Sequence, residues 1–364
     1  MGREPTIAYV LLRNSVFGPK GAASVELCVR DLVRMSRYAG STLVVCPKVD
    51  EPFEGIEIAD VRSVALGGNL AKAWGVGRML RRRGVDVAVV ENHLPAAAVI
   101  AAASGVPVIL HSHAYEKAPS GAMKRIERDV ELKRIAGLVF VSEDCANRFL
   151  MNFPHVGRPV RAVPNGLDMA DWSDRGPKEK VILSVGRALD DKGHLEAMAA
   201  IARLMPSRPD WRARFILSAT DREPRIVQTL REAAMVLDGR VTIDTNLAYA
   251  EVKAAWRRAA VGMVMTKTPE PFGRTALEAL ASGTALLTSG LGGLAEVCGQ
   301  HAEIANPMDG EALAVRLASL LDLPRLRETL ARGGRERVEA MYDIRAVAKR
   351  MDDFIDEVLA QRRV

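Results

Sequence analysis

The sequence predicts an α/β protein made of two doubly wound, Rossmann-like parallel sheets. Three observations carry this. Short apolar runs alternate with amphipathic stretches along most of the chain, the alternation pauses once near the middle, and the length is 364 residues. That length exceeds one ordinary core, so two domains of about 150 to 200 residues are expected.

In the first half, TIAYVLL (6–12), STLVVCP (41–47), VDVAVVE (85–91), VPVILHSH (106–113), GLVFVS (137–142) and VRAVPN (160–165) read as strands. Each is a short apolar run, as strands covered on both faces require. Ser24–Tyr38 reads as a helix, with Val25, Val29, Leu32 and Val33 on one face, and Leu70–Arg83 as another. Strand–helix alternation of this kind gives a parallel sheet with helices on both faces. The pause is DWSDRGPKEK, Asp171–Lys180, charged, aperiodic and containing Gly-Pro, and it is the expected linker. Beyond it VILSVGR (181–187), ARFILSA (213–219), VTIDT (241–245), VGMVMT (261–266) and TALLTS (284–289) read as strands. The tail from Asp343 to Val364 reads as one amphipathic helix, with Val347, Met351, Phe354, Ile355 and Val358 on a stripe. No internal repeat or low-complexity tract is present.

Hydrophobic residues make up 48% of the chain and aromatics only 5%, so the core is expected to be Ala, Val and Leu. A net charge of +6 is a mild excess over this length. It suits anionic ligands or an anionic membrane surface. Nucleic acid is not an expected partner, because no aromatic-studded basic stripe or zinc finger accompanies the charge. Cys28, Cys46, Cys145 and Cys298 form no CxxC pair and read as buried thiols of a reducing cytoplasm. The opening MGREPTIAYVLL lacks the apolar stretch of a signal peptide. MGREPT fits a myristoylation pattern only loosely and is discounted. No run approaches the 18 apolar residues of a membrane span.

In doubly wound sheets ligands bind beyond the carboxyl ends of the strands. SVGRALDDKG (Ser184–Gly193) follows one strand and leads into a helix near His194. Arg187 and Lys192 there could hold a diphosphate, Arg bidentately and Lys as a point charge; an ordinary solvated loop is the plain alternative. EPFGRTALE places Glu270 before a helix and Glu278 one turn inside it, eight positions on. Glu270 could accept hydrogen bonds from a polyol, and Gly273 would let backbone N–H groups approach the same ligand. Glu278 would reach another part of a long ligand, such as a ribose. A capped helix with a surface Glu is the alternative. His111 and His113, two apart on a strand, project to one face and could join Glu91 and His93 at the rim of the first sheet. Hydrogen bonding to a polar ligand is expected there rather than metal, since no complete ligand set accompanies them. GLGGLAE (Gly290–Glu296) matches a dinucleotide fingerprint only weakly, and a Gly-rich loop near phosphate or sugar is the better reading.

Together these pieces resemble the retaining family 4 glycosyltransferases of the GT-B fold. VPNGLD (163–168), SVGRALDDKG, EPFGRTALEALASGTALLTS and GLGGLAEV occur in the family's order and spacing, and the two acids with seven residues between them are its signature. The first half resembles the family less sharply. The family's GGxE loop corresponds to Ala23-Ser24-Val25-Glu26, with Gly18 and Gly21 just before. VENHLP lacks the Arg of the corresponding family segment, and His113 aligns with the family's strand-end histidine.

The resemblance implies two Rossmann-like domains facing across a cleft. Residues 1–168 would form the acceptor-side domain, with the helix at 343–364 packed back on it, and 169–342 the nucleotide-sugar domain. It implies metal-independent transfer from a nucleotide-diphosphate sugar, with no cofactor. Catalytic roles fall to Glu270, His113, Arg187 and Lys192. Gly186, Phe272, Gly273, Arg274, Thr275 and Glu278 would complete the donor site, and Gly21, Ala23, Glu26, Glu91, His93 and His111 would lie on the acceptor side. The implied acceptor is a glycan or glycolipid, such as lipopolysaccharide or another envelope polysaccharide. The implied location is the cytoplasm, with the inner face of the cytoplasmic membrane as a peripheral site. Two other readings share these motifs: a nucleotide-sugar epimerase or isomerase, which would need no acceptor, and a sugar-nucleotide-binding protein without turnover. The sugar, the nucleotide base and the acceptor are not encoded in any motif.

Overall fold

The structure, a computed structural model, describes residues 3–12, 15–61, 68–173, 176–220 and 224–361. Met1 and Gly2 of the MGREPT motif, Asp174 and Arg175 of the expected linker, and residues 362–364 of the tail lie outside the described residues. The chain divides into two compact units, 1–168 with 342–364, and 169–341.

In the first unit the order is β1 (Ile7–Val10), α1 (Ser24–Met35), β2 (Thr42–Cys46), β3 (Glu57–Asp60), α2 (Asn69–Arg82), β4 (Val87–Glu91), α3 (Leu94–Ser104), β5 (Val108–Ser112), α4 (Ala122–Arg134), β6 (Gly137–Phe140), α5 (Glu143–Asn152) and β7 (Val160–Ala162). The strands pair in parallel in the order β3-β2-β1-β4-β5-β6-β7. Residues of β1, β2, β4, β5 and β6 are all buried, which explains why they read as continuous apolar runs. β3 went unread because its pattern, EIAD, is short and half polar, as an edge strand can be.

The last helix of the chain, α13 (Ile344–Gln361), completes this unit. Ile344, Val347, Met351, Phe354, Ile355 and Val358 enter one core with Ile7, Tyr9, Val29, Val33 and Val89. Gly137 makes room for it, since a Cβ there would sit 2.7 Å from the Phe354 ring. The helix begins one residue later than the sequence suggested. Tyr342 belongs to this unit and not to the second: its carbonyl accepts from the Leu167 N–H at 2.9 Å.

In the second unit the order is β8 (Glu179–Arg187), α6 (His194–Leu204), β9 (Arg212–Ser218), α7 (Pro224–Met235), β10 (Val241–Thr245), α8 (Tyr249–Arg258), β11 (Ala259–Val264), α9 (Arg274–Ala281), β12 (Ala285–Thr288), α10 (Gly293–Cys298), β13 (Glu303–Ile304), α11 (Gly310–Asp322) and α12 (Pro324–Met341). All strands are parallel, in the order β10-β9-β8-β11-β12-β13. The expected linker shrinks at both ends. Met169–Trp172 form a 3-10 turn whose Trp172 is buried, and Glu179 and Lys180 already belong to β8. A charged composition hid these roles, because only tertiary burial reveals that Trp172 is an anchor.

In each sheet the strand order reverses direction once, between β1 and β4 and between β8 and β11. The carboxyl ends of strands at such a switch point form a crevice with no helix crossing it.

Candidate active site

The second unit gathers its charged groups at the switch point. After β8, a 3-10 turn (Asp190–Lys192) runs into Gly193 and α6. Gly193 has φ 67°, and a Cβ there would lie 1.8 Å from the Met265 carbonyl oxygen, so only glycine lets the β11 loop pass this close. That loop then grips the turn. The Thr266 hydroxyl and the Lys267 N–H both donate to the Asp191 carbonyl, at 3.0 and 2.7 Å. The Lys267 ammonium bridges Asp190 and Glu196 at 2.8 and 2.9 Å.

His194, only 2% exposed, ties the same turn to its strand. Its Nε2 lies 3.0 Å from the Arg187 carbonyl and its Nδ1 3.0 Å from the Ser184 hydroxyl. A carbonyl can only accept, so Nε2 carries the proton and Nδ1 accepts from the hydroxyl. Burial lowers the His194 pKa to about 4, with nearby Lys192 acting in the same direction, and the ring is neutral. Gly186 leaves space for it, since a Cβ there would be 3.1 Å from Nε2.

So held, Lys192 forms an ion pair with Glu270. The backbone of Glu270 is pinned in turn. Its carbonyl accepts from the Gly293 N–H at 2.7 Å and its N–H donates to the Leu291 carbonyl at 3.2 Å. Gly293 permits this, because a Cβ would meet the Pro271 oxygen at 2.5 Å. Gly273, with φ 102°, would place a Cβ 2.4 Å from Leu294 Cδ2. Gly293 of GLGGLAE therefore lets two loops meet backbone to backbone, a role that the sequence left unresolved.

Glu278 is 5% exposed, on the first turns of α9. Its Oε1 accepts from the Tyr249 hydroxyl at 3.0 Å and from Arg274 Nε at 3.1 Å. Among the described residues no hydrogen bond to its Oε2 is present. Burial raises the pKa of this carboxyl, while Arg274 and Tyr249 oppose the rise. Arg187 is exposed and makes no ion pair among the described residues. Helices α6 and α9 each start from a left-handed glycine N-cap, Gly193 and Gly273, with no side-chain cap. Their first-turn N–H groups are therefore not claimed by a capping side chain, and they add to the local positive potential.

In the first unit, the parallel register sets Glu91 opposite His111. Glu91 lies 3.2 Å from His111 Nδ1 and 2.9 Å from His113 Nε2, and the two imidazoles are 4.3 Å apart. Burial alone would raise the Glu91 pKa, but His111 and His113 outweigh it and hold the pKa at about 2. The His113 N–H donates to Asn92 Oδ1 at 2.6 Å, and Asn92 takes φ 59° to present that oxygen. The ligand atoms of Glu91, His111 and His113 lie close enough together to share an ion. Glu91 pairs with both imidazoles, while His111 Nε2 is buried without a hydrogen-bond partner among the described residues.

His93 Nδ1 accepts from the Ala96 N–H at 3.1 Å and caps α3. Glu26 likewise accepts from the Ala23 N–H at 3.1 Å, at the start of α1. Gly21 has φ 86° in the loop before it. Sequence reading missed His194, Lys267, Tyr249 and Asn92. Each follows a strand's carboxyl end, by seven residues for His194 and by four or fewer for the others, which was the one available signal.

Two family models match consecutive stretches of the chain: Glycosyltransferase Family 4 over residues 25–171, and Glycosyl transferases group 1 over residues 172–337. Glycogen synthase of Mycobacterium tuberculosis is 29% identical over 356 residues, covering 87% of this chain and 84% of that protein. Sucrose-phosphate synthase from Thermosynechococcus elongatus superposes with a TM-score of 0.79 at 19% identity, covering 98% of this chain and all of that one. Anabaena HepE, solved in complex with UDP and glucose, superposes with a TM-score of 0.76 at 17% identity, covering 97% and 100%. The chain belongs to the glycosyltransferases of the GT-B fold, family 4 in its first half and group 1 in its second.

Proposed function

We propose that this glycosyltransferase moves a sugar, with retention of configuration, from a nucleoside-diphosphate sugar to a hydroxyl of a glycan or glycolipid, without a metal ion. The Lys192–Glu270 pair at the N-termini of α6 and α9 carries the reading. It sets a cation for a leaving phosphate beside a carboxylate for sugar hydroxyls. As the sugar–oxygen bond breaks, its electrons go to the diphosphate. Lys192, Arg187 and the helix N–H groups meet that growing charge. Glu270 turns to the hydroxyls of the transferred sugar, with the Phe272 and Gly273 N–H groups beside it. Oε2 of Glu278 takes a ribose hydroxyl, while Arg274 and Tyr249 fix the carboxylate through Oε1. HepE, which shares the fold, was solved with UDP, and this supports a nucleoside-diphosphate sugar as the donor. In the first unit, Glu91 orients the ring of His113, the strand-end residue to which the resemblance gives a catalytic role. The acceptor oxygen bonds to the sugar carbon on the face from which the diphosphate leaves, and its proton passes to the departing phosphate oxygen.

The test is to offer a panel of nucleotide sugars, find the stabilising one by thermal shift, and read the anomer of the product by NMR. A ligand at 100 times its Kd adds roughly 2.7 kcal/mol of stability. The expected product keeps the donor's configuration, and EDTA leaves the rate unchanged. An inverted product, conversion of donor without acceptor, or a rate restored only by a divalent ion would each overturn the corresponding part of the proposal.

A further inference from the structure

Glu91, His111 and His113 bring one carboxylate and two imidazoles together at the rim of the first sheet. Strand register places Glu91 of β4 opposite His111 of β5. The loop after β4 holds the third, since the His113 N–H donates to Asn92 Oδ1 at 2.6 Å. Each imidazole turns a ring nitrogen toward one carboxylate oxygen: Glu91 Oε2 lies 3.2 Å from His111 Nδ1 and 2.9 Å from His113 Nε2. Ligand atoms about 2.0 to 2.1 Å from a tetrahedral zinc ion stand about 3.3 Å apart, close to both of these spacings. All three ligand atoms lie within 4.8 Å of one another, and no other group of His, Cys, Asp and Glu comes together in this way among the described residues. Two imidazoles and a carboxylate suit zinc and its neighbours, whereas magnesium and calcium prefer oxygen alone. The side chains of Glu91 and His111 are 2% and 1% exposed and that of His113 7%, so the open side, where an ion and a water ligand would enter, is at His113.

We propose that Glu91, His111 and His113 form an inhibitory site for an exchangeable transition-metal ion, with zinc as the probe. Exchange follows from the surroundings of His111. A resident metal site gives each ligating histidine an outer hydrogen-bond partner, worth about 10- to 100-fold in affinity. His111 Nε2 is buried with none among the described residues. A carboxylate only accepts, so each nitrogen that faces Glu91 donates to it; on coordination a singly protonated ring moves that proton to its other nitrogen. Inhibition rests on the reading that His113 serves sugar transfer, because the ion takes the ring nitrogen by which Glu91 orients it. Binding itself does not depend on that reading.

Full-length protein is treated with EDTA, desalted and titrated with zinc chloride, followed by calorimetry and by nitrogen NMR of isotope-labelled histidine. His111 Nδ1 and His113 Nε2 should shift together as one ion binds, and excess magnesium should not displace it. Because these spectra are read on wild-type protein, they decide the ligand atoms even if a buried variant fails to fold. Glu91→Gln and His111→Gln should each weaken zinc binding more than about 100-fold, beyond what an outer partner is worth, with circular dichroism as the check on folding. His155→Gln and His301→Gln should bind zinc as wild type does. Turnover of the nucleotide sugar should fall as the ion binds and return with EDTA. Protein that binds no zinc, zinc that shifts other histidines instead, a folded His111→Gln that binds it as tightly as wild type, or a bound ion that leaves turnover unchanged overturns the proposal. Zinc at these atoms, with no nucleotide sugar turned over under any condition, supports the site and overturns the transfer reading instead.

Discussion

Lys192 and Glu270 pair with each other, so a substrate that engages both must offer each its own charge or hydroxyl. Contacts that strengthen as the diphosphate leaves lower the barrier more than they tighten binding. Arg187→Ala and Lys192→Ala should each lower kcat by about 10² to 10³. The double variant should lose less than the product of the two, because both act on one group. Inhibition by free nucleoside diphosphate should weaken, while inhibition by the nucleoside should not. Unchanged kcat in both single variants would make the loop an ordinary solvated turn. Glu270→Gln should lose kcat and Glu278→Gln should raise KM, since only Glu270 is assigned to the sugar whose bond changes. A larger kcat loss at Glu278 would reverse the assignment. His194 adds a pH signature. Its pKa falls from 6.5 to about 4 on burial, so the unfolded chain binds the proton more readily between those values. Folding stability is therefore lost as pH falls from 6.5 to 4, by up to about 3 kcal/mol, and the effect is absent above that window. Urea unfolding at pH 7, 5.5 and 4 should show this slope in wild type and a shallower one in His194→Gln.

At the level of elements, the candidate site stands on helices whose ends are held from outside. Helix α9 finishes against two basic side chains: Lys178 donates to the Ser282 carbonyl at 2.8 Å and Arg335 to the Ala281 carbonyl at 2.6 Å. Positive charge is favoured at a helix C-terminus, so the Arg335 contact in particular fixes the end opposite Gly273. Burial, with Arg335 nearby, lowers the Lys178 pKa to about 7. The start of α6 is held instead by close backbone approach. Gly193→Ala would put a methyl 1.8 Å from the Met265 oxygen at a positive φ. It should cost more than the ~1 kcal/mol of an ordinary left-handed alanine. It should also lower kcat, because Lys192 moves with the turn. Thermal unfolding and turnover measured together check this. A variant with wild-type kcat and lowered stability would separate the turn from catalysis.

At the level of the whole molecule, the last helix lies far in sequence from the core that it completes. Val347, Met351, Phe354, Ile355 and Val358 are all buried in the first unit. At about 1.5 to 3 kcal/mol per large apolar side chain, they amount to as much as a typical domain's whole margin of about 5 to 15 kcal/mol. A chain ending at Met341 should therefore lose the first unit. Limited proteolysis should cut within residues 15–168 first and leave 176–341 protected. Equal protection of both would show that α13 is dispensable. Among the described residues no helix is long and apolar enough to cross a membrane.

The sequence by itself determined the alternation of strands and helices, because central parallel strands are buried on both faces and must read as apolar runs. It also determined the order and spacing of SVGRALDDKG and EPFGRTALE, since both are local strand-to-helix loops. Only the tertiary structure decided what those loops touch. The Glu91–His111 contact depends on the register between β4 and β5, and the Lys192–Glu270 pair on the β11 loop closing against Gly193. The Tyr249–Glu278 bond joins residues 29 positions apart, and Trp172 in the expected linker proved to be core. Hydrophobic periodicity reports a residue's own burial. It carries no information about which distant side chain lies opposite, because that is set by packing and register between elements.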